Sequence, residues 1–138
     1  DVIDYSFIRA DLLIDAARYE IVEVAYDPYG ATQLALQLQD DRITCVEFGQ
    51  GIKFMSEPTK GLLLDVHSGK LMHGGNPVLR WIAANTNAIA DAKDNIKLVK
   101  NKSAGRIDGI VAAIMARSRA TLVTDSSSVY ESGGLKVL

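Results

Sequence analysis

The chain is poor in the residues that build covalent or metal-stapled folds. It has one cysteine and two histidines in 138 residues, which rules out an internal disulfide and a thiolate-rich zinc site. Cys45 sits in an apolar stretch with Ile43 and Val46, which predicts a buried, reduced thiol and a reducing cytoplasm as the compartment. No apolar run approaches the roughly 20 residues that span a bilayer, and no basic-then-apolar leader opens the sequence. G-x-x-x-x-G-K-[ST] is absent, so these residues cannot bind a nucleoside triphosphate in the P-loop manner. The G-x-S-x-G signal of serine hydrolases is absent as well. Neither charge sign dominates: the net charge of −2 argues against a wholly basic DNA-binding surface but leaves room for a local cationic face. The first residue is Asp1 rather than Met, which reads as a processed or excised piece.

What is present suits one globular domain. Hydrophobic residues make up 48% and charged residues 23%, ordinary values that exclude whole-chain disorder. Phe7, Ala10, Ile14 and Ala17 recur at helical spacing over Ser6 to Tyr19, with Ser6 as the expected N-cap. The run from Ile21 to Tyr26 reads as a strand buried on both faces, and Asp27-Pro28-Tyr29-Gly30 closes it. A helix over Ala31 to Leu38 and a strand over Ile43 to Phe48 follow. Ser56-Glu57-Pro58 and Asn76-Pro77 both look like helix starts, with proline in the first turn. The first of these helices extends to about His67, and Trp81 in the second is expected in the core or half-buried. Two extended pieces around Lys93-Asp94-Asn95 form a hairpin-like unit between Ala88 and Val99. Arg106 to Ala120 is the clearest amphipathic helix, carrying Ile107, Ile110, Val111, Ile114 and Met115. Beyond it, 121–138 reads as a flexible C-terminal tail. Helices alternating with strands make this an α/β chain with a parallel component in its sheet.

Candidate chemistry rests on carboxylates. Asp27 follows the carboxyl end of a strand, where α/β sheets place their ligand crevice; it is equally a favoured turn residue. Asp108 opens the strongest helix, where an acid also complements the helix dipole. Lys93, Lys97, Lys100, Lys102 and Arg106 lead into it, either as a solvated loop or as a cationic approach for a phosphate backbone. His73, in His73-Gly74-Gly75-Asn76-Pro77, is a further candidate for a metal or a phosphate.

Five ordered segments then resemble the nuclease domain of phage large terminase subunits, in the branch typified by HK97-type phages. They are Val24-Ala25-Tyr26-Asp27-Pro28-Tyr29-Gly30-Ala31-Thr32-Gln33-Leu34, Phe48-Gly49-Gln50-Gly51, Met55-Ser56-Glu57-Pro58-Thr59-Lys60, His73-Gly74-Gly75-Asn76-Pro77-Val78-Leu79-Arg80-Trp81 and Arg106-Ile107-Asp108-Gly109-Ile110-Val111-Ala112. Each is weak alone; five in order are specific. The resemblance runs from about residue 2 to 120 and assigns 1–120 to a partial terminase nuclease domain.

It implies an RNase H-like fold, a mixed sheet flanked by helices, with the first strands missing from this chain. It also implies a metal-dependent endonuclease that cuts concatemeric double-stranded DNA during packaging. Asp27 and Asp108 are then catalytic ligands for Mg²⁺ or Mn²⁺, two ions in the complete site; from their own segments His73 stands as the further metal candidate, against a structural role, and Lys97, Lys100, Lys102 and Arg106 as the DNA-facing cations, against a solvated loop. The implied partners are double-stranded DNA, the small terminase subunit and the portal, in the host cell cytoplasm and without a membrane. The family's first acid lies on a strand upstream of the first helix, and Asp1 and Asp4 stand too close to that helix to replace it. Weak metal binding, little cleavage and a homodimer through an exposed sheet edge are therefore expected. The alternative is a catalytically incomplete remnant acting as a DNA- or portal-binding module.

Overall fold

The computed structural model describes residues 4–100 and 105–131, with backbone only at 100 and 123–131. The elements are α1 (Tyr5–Ala16), β1 (Val24–Tyr26), α2 (Pro28–Asp40), β2 (Cys45–Glu47), α3 (Ile52–His67), α4 (Pro77–Ala84), β3 (Thr86–Ala90), β4 (Ile96–Lys100) and α5 (Asp108–Glu131). The chain divides into two compact units, Asp1–Gln50 and Gly51–Leu138. The class is mixed α/β, as expected. The described strands form two separate pairs, one parallel and one antiparallel.

Unit 1 is a β-α-β unit preceded by a helix. β1 and β2 run parallel, with Val24 opposite Cys45, Ala25 opposite Val46 and Tyr26 opposite Glu47. Their residues are half-buried apart from the exposed Glu47, short of the double-sided burial that the apolar run predicts. Cys45 is likewise half-buried rather than buried, and that partial burial pushes its thiol pKa up. Ala35, Leu38 and Ile43 form the buried core here.

The first helix differs from its prediction in cap and in face. Asp4, not Ser6, is the N-cap, and its Oδ1 accepts the Ser6 N–H at 2.9 Å. The Phe7–Ile14 stripe is exposed, Phe7 at 72%, while Tyr5, Arg9, Leu12 and Ala16 are half-buried. Polar anchors account for the choice of face. Tyr5 donates to the Gly30 carbonyl at 3.1 Å, and the Arg9 guanidinium grips the Asp41 carboxylate through two bonds of 2.5 and 2.6 Å.

Unit 2 packs α3 and α4 against α5, with the β3–β4 hairpin lying on α3. Met55 and Leu62 on α3, Ile107 ahead of α5, and Ile114 and Met115 on α5 are buried, Ile114 at 1% exposure. The Ser56-Glu57-Pro58 signal is misleading: α3 begins at Ile52 after Gly51, and Pro58 lies inside it. Proline there forfeits one N–H bond, to Phe54. The buried Ser56 hydroxyl, freed from capping, accepts the Ile96 N–H at 3.0 Å and ties β4 to α3. Thr59, also buried, donates to the Met55 carbonyl at 2.6 Å. His67 closes α3 as expected.

Asn76 caps α4 by accepting from Val78 and Leu79 at 2.9 and 3.0 Å. Gly74 and Gly75 precede it at φ of +61° and +71°, a conformation that favours glycine. Trp81 is 55% exposed, which removes it from the predicted core. In the hairpin turn Asp91 accepts from the Lys93 and Asn95 amides at 2.8 and 2.9 Å. α5 extends through 121–131, where the sequence reading begins a tail; the Thr121 hydroxyl donates to the Arg117 carbonyl at 2.9 Å. Residues 132–138 lie outside the described residues.

Two arginine–aspartate ion pairs make stability depend on pH. Hydrogen bonds from Arg9 hold Asp41 below the ordinary carboxylate value of 3.8, and those from Arg117 do the same for Asp65. The folded chain therefore binds these protons less tightly than the unfolded one. The contribution is complete above 3.8 and is lost as pH falls through the depressed folded values. Thermal melts taken from neutrality down through the carboxylate range are expected to show a smaller acid-induced drop for Asp65→Asn than for the unsubstituted chain.

Candidate functional site

Asp27 is held at the carboxyl end of β1. Its backbone is still extended, at φ −76° and ψ 124°, and its Oδ1 accepts the Tyr29 N–H at 2.9 Å. The turn role is therefore real: Asp27 is the N-cap of α2, with Pro28 in the first helical position. Gly30 adopts φ +82°, so the chain kinks after Pro28 and regular helix resumes at Ala31. A half-buried carboxylate, oriented by one backbone N–H at the open end of a parallel strand pair, is suited to bind a cation.

Glu47 is a carboxylate at the same end of the strand pair that has no counterpart among the candidates read from the sequence. Register places it opposite Tyr26, immediately before Asp27, and Tyr26 donates to its Oε1 at 3.4 Å. Burial, then the neighbouring Glu47 carboxylate, push the Tyr26 phenol pKa up. Aligning the ends of the two apolar runs Val24–Tyr26 and Cys45–Glu47 is the one signal that could have found it.

Asp108 belongs to unit 2 and is exposed in the first turn of α5. The buried Ile107 before it anchors the turn, and its carbonyl accepts from Ile110 and Val111 at 3.0 and 3.1 Å. The unpaired N–H groups of a helix start favour a carboxylate at this position. Arg106, two residues earlier, and Lys97 on β4 are both exposed. Lys100 ends β4 opposite Thr86, with only its backbone described, and Lys102 lies outside the described residues. His73 is exposed between α3 and α4, where its carbonyl accepts the Asn76 N–H at 3.3 Å. Among the described residues no three His, Cys, Asp or Glu side chains form a group that could hold a metal. Each acid is thus positioned by its own unit. No described helix is long and apolar enough to cross a membrane.

Comparison with known proteins bears on what these acids serve. The family model for the terminase large subunit, endonuclease domain, matches residues 2–123. The chain is 33% identical to Protein YmfN of Escherichia coli (strain K12) over 141 residues, covering 99% of this chain and 31% of that protein. It is 34% identical to the terminase large subunit of Enterobacteria phage HK97 over 134 residues, covering 96% of this chain and 26% of that protein. The crystal structure of the HK97 bacteriophage large terminase matches with a TM-score of 0.74 at 35% identity, over 83% of this chain and 24% of that one. This likeness extends to the RNase H-like fold of that nuclease domain, and the chain spans less than a third of each relative's length. On this evidence the chain belongs to the endonuclease domain family of terminase large subunits.

Proposed function

We propose that the chain is the DNA-cutting part of a packaging motor, a metal-dependent endonuclease acting on concatemeric double-stranded phage DNA. The observation that carries this is the family match over residues 2–123, a span that includes both Asp27 and Asp108. Both side chains offer hard oxygen donors, and Mg²⁺ commonly takes one or two carboxylates together with substrate phosphates. Each carboxylate is by its chemistry a donor for Mg²⁺ or Mn²⁺, and His73 offers a further nitrogen donor. Such ions, when bound in a pair, lower the pKa of the attacking water and stabilise the leaving 3′-oxygen.

The chain's own residues then have distinct tasks. Asp27 is kept in place by the Tyr29 amide and presents its carboxylate at the end of β1. Asp108 does the same from the start of α5. Lys97, Lys100, Lys102 and Arg106 neutralise the DNA backbone. The small terminase subunit and the portal are the proposed partners, and the host cytoplasm the proposed location. Each of β1 and β2 has one edge unpaired by any described strand; an open edge invites strand pairing, so a homodimer through that edge is part of the proposal.

A second reading is a catalytically incomplete module that binds DNA or portal. Nicking of supercoiled plasmid by this chain across a Mn²⁺ titration separates the two. Metal-dependent nicking supports the nuclease; retained DNA binding with no nicking at any Mn²⁺ concentration supports the module. On either reading, Lys97→Ala and Arg106→Ala should each reduce the slope of log affinity against log salt by about 1. An unchanged slope would return both residues to an ordinary solvated surface.

A further inference from the structure

Beneath the segment that leads into Asp108 lies an amide that the fold buries without using. Asn85 follows α4, where its backbone N–H donates to the Trp81 and Ile82 carbonyls at 3.3 and 3.1 Å. Its Nδ2 is buried and has no hydrogen-bond partner. Native proteins seldom leave such a donor unsatisfied, because its lost hydration is not recovered.

The surroundings show what it lies against. A Cβ placed on Gly105 would overlap the Cβ and Cγ of Asn85, so the side chain presses directly on the Gly105 backbone. A Cβ on Gly109 would come within 2.8 Å of Ile82 Cδ1. Ile82 and Asn85 are three residues apart and so share one face of the helix end. The two glycines that bracket Arg106, Ile107 and Asp108 thus rest on that face, with Ile107 buried between them. A leucine at 85 would keep the same branched outline, though larger, with no unpaired amide, so the choice of asparagine is not explained by an apolar packing role.

We infer that Asn85 is a positioning residue for Asp108, its Nδ2 held ready to donate to a backbone carbonyl of the Gly105–Ile107 segment when the Asp108 carboxylate engages a divalent cation. The inference rests on the reading of Asp108 as a cation ligand. It assigns a role to a residue outside the five family-like segments.

The test is a Mg²⁺ titration of the ¹⁵N-labelled chain followed by NMR, with Asn85→Leu and Asp108→Asn alongside. The Asn85 side-chain NH₂ pair is expected to shift with the same apparent affinity as the Asp108 backbone amide. Asn85→Leu removes the amide and is expected to bind Mg²⁺ about 10-fold more weakly than the unsubstituted chain, the lower end of the range for outer-shell partners of metal ligands, whatever its larger side chain costs in melting temperature. A lowered melting temperature with unchanged Mg²⁺ affinity would make Asn85 merely structural and overturn the inference. So would a static NH₂ pair beside a responding Asp108, and in that case the metal reading stands. If Asp108→Asn responds to Mg²⁺ as the unsubstituted chain does, or if Asp108 is silent throughout, the metal reading falls and the inference with it. Should Asn85→Leu fail to fold, the NH₂ resonance of the unsubstituted chain still decides.

Discussion

Asp27→Asn is expected to remove whatever Mn²⁺-dependent nicking the chain supports while leaving the melting temperature nearly unchanged, and Asp108→Asn is expected to remove it too. The loss should exceed the roughly 10–100-fold typical of outer-shell partners, because a ligand itself is removed. The choice of asparagine matters most at position 27. Asp27 caps α2 through Oδ1, and asparagine caps a helix about as well as aspartate. Its side-chain oxygen can still accept the Tyr29 N–H, so the turn survives and only the negative charge goes. Asp27→Ala would lose cap and charge together and could not separate them. Plasmid nicking and thermal melting measured on the same preparation decide the matter. Nicking that persists in both variants would sink the metal assignment, and a large drop in melting temperature with Asp27→Asn would mean that the carboxylate serves the fold instead.

Ile114→Ala carries the largest expected effect on stability. Ile114 is 1% exposed in the α3–α5 interface region, together with Met55, Leu62 and Met115. Truncating a fully buried isoleucine to alanine costs about 2–5 kcal/mol, a large part of the roughly 5–15 kcal/mol that stabilises a domain. Trp81, the single tryptophan, lies in this same unit and is half exposed, so its fluorescence during urea unfolding reports on the unit directly. A midpoint that hardly moves would show that Ile114 is not the core residue its burial indicates.

Features set by local chemistry could be read from the sequence. Asn76-Pro77 caps α4 because an asparagine oxygen and a proline in the first turn act within three residues. The hairpin around Lys93-Asp94-Asn95 forms through bonds that Asp91 makes within its own loop. Features set by distant partners could not be read. Apolar spacing in α1 permits two faces, and Asp41, 32 residues beyond Arg9, selects one. Pro58 imitates a helix start so well that the earlier start at Ile52 was concealed. Of the candidate site, the placement of Asp27 and Asp108 was legible because each ends or begins an element. Glu47 required the parallel register, and the rest of Asn85 on Gly105 required the packing of α4 against the start of α5.

Gly61 gives one of these packing details a practical meaning. It lies inside α3, where engineering convention would replace glycine with alanine to gain helix propensity. Here the Arg117 guanidinium occupies the space a methyl group would need, and it is held there by Asp65 at 2.7 Å. The routine stabilising substitution would make the Arg117 guanidinium swing aside and loosen its bond to Asp65, while the buried contacts of Met55, Leu62, Ile114 and Met115 stay in place. In any redesign of this domain, residue 61 must be treated as half of a two-residue interface.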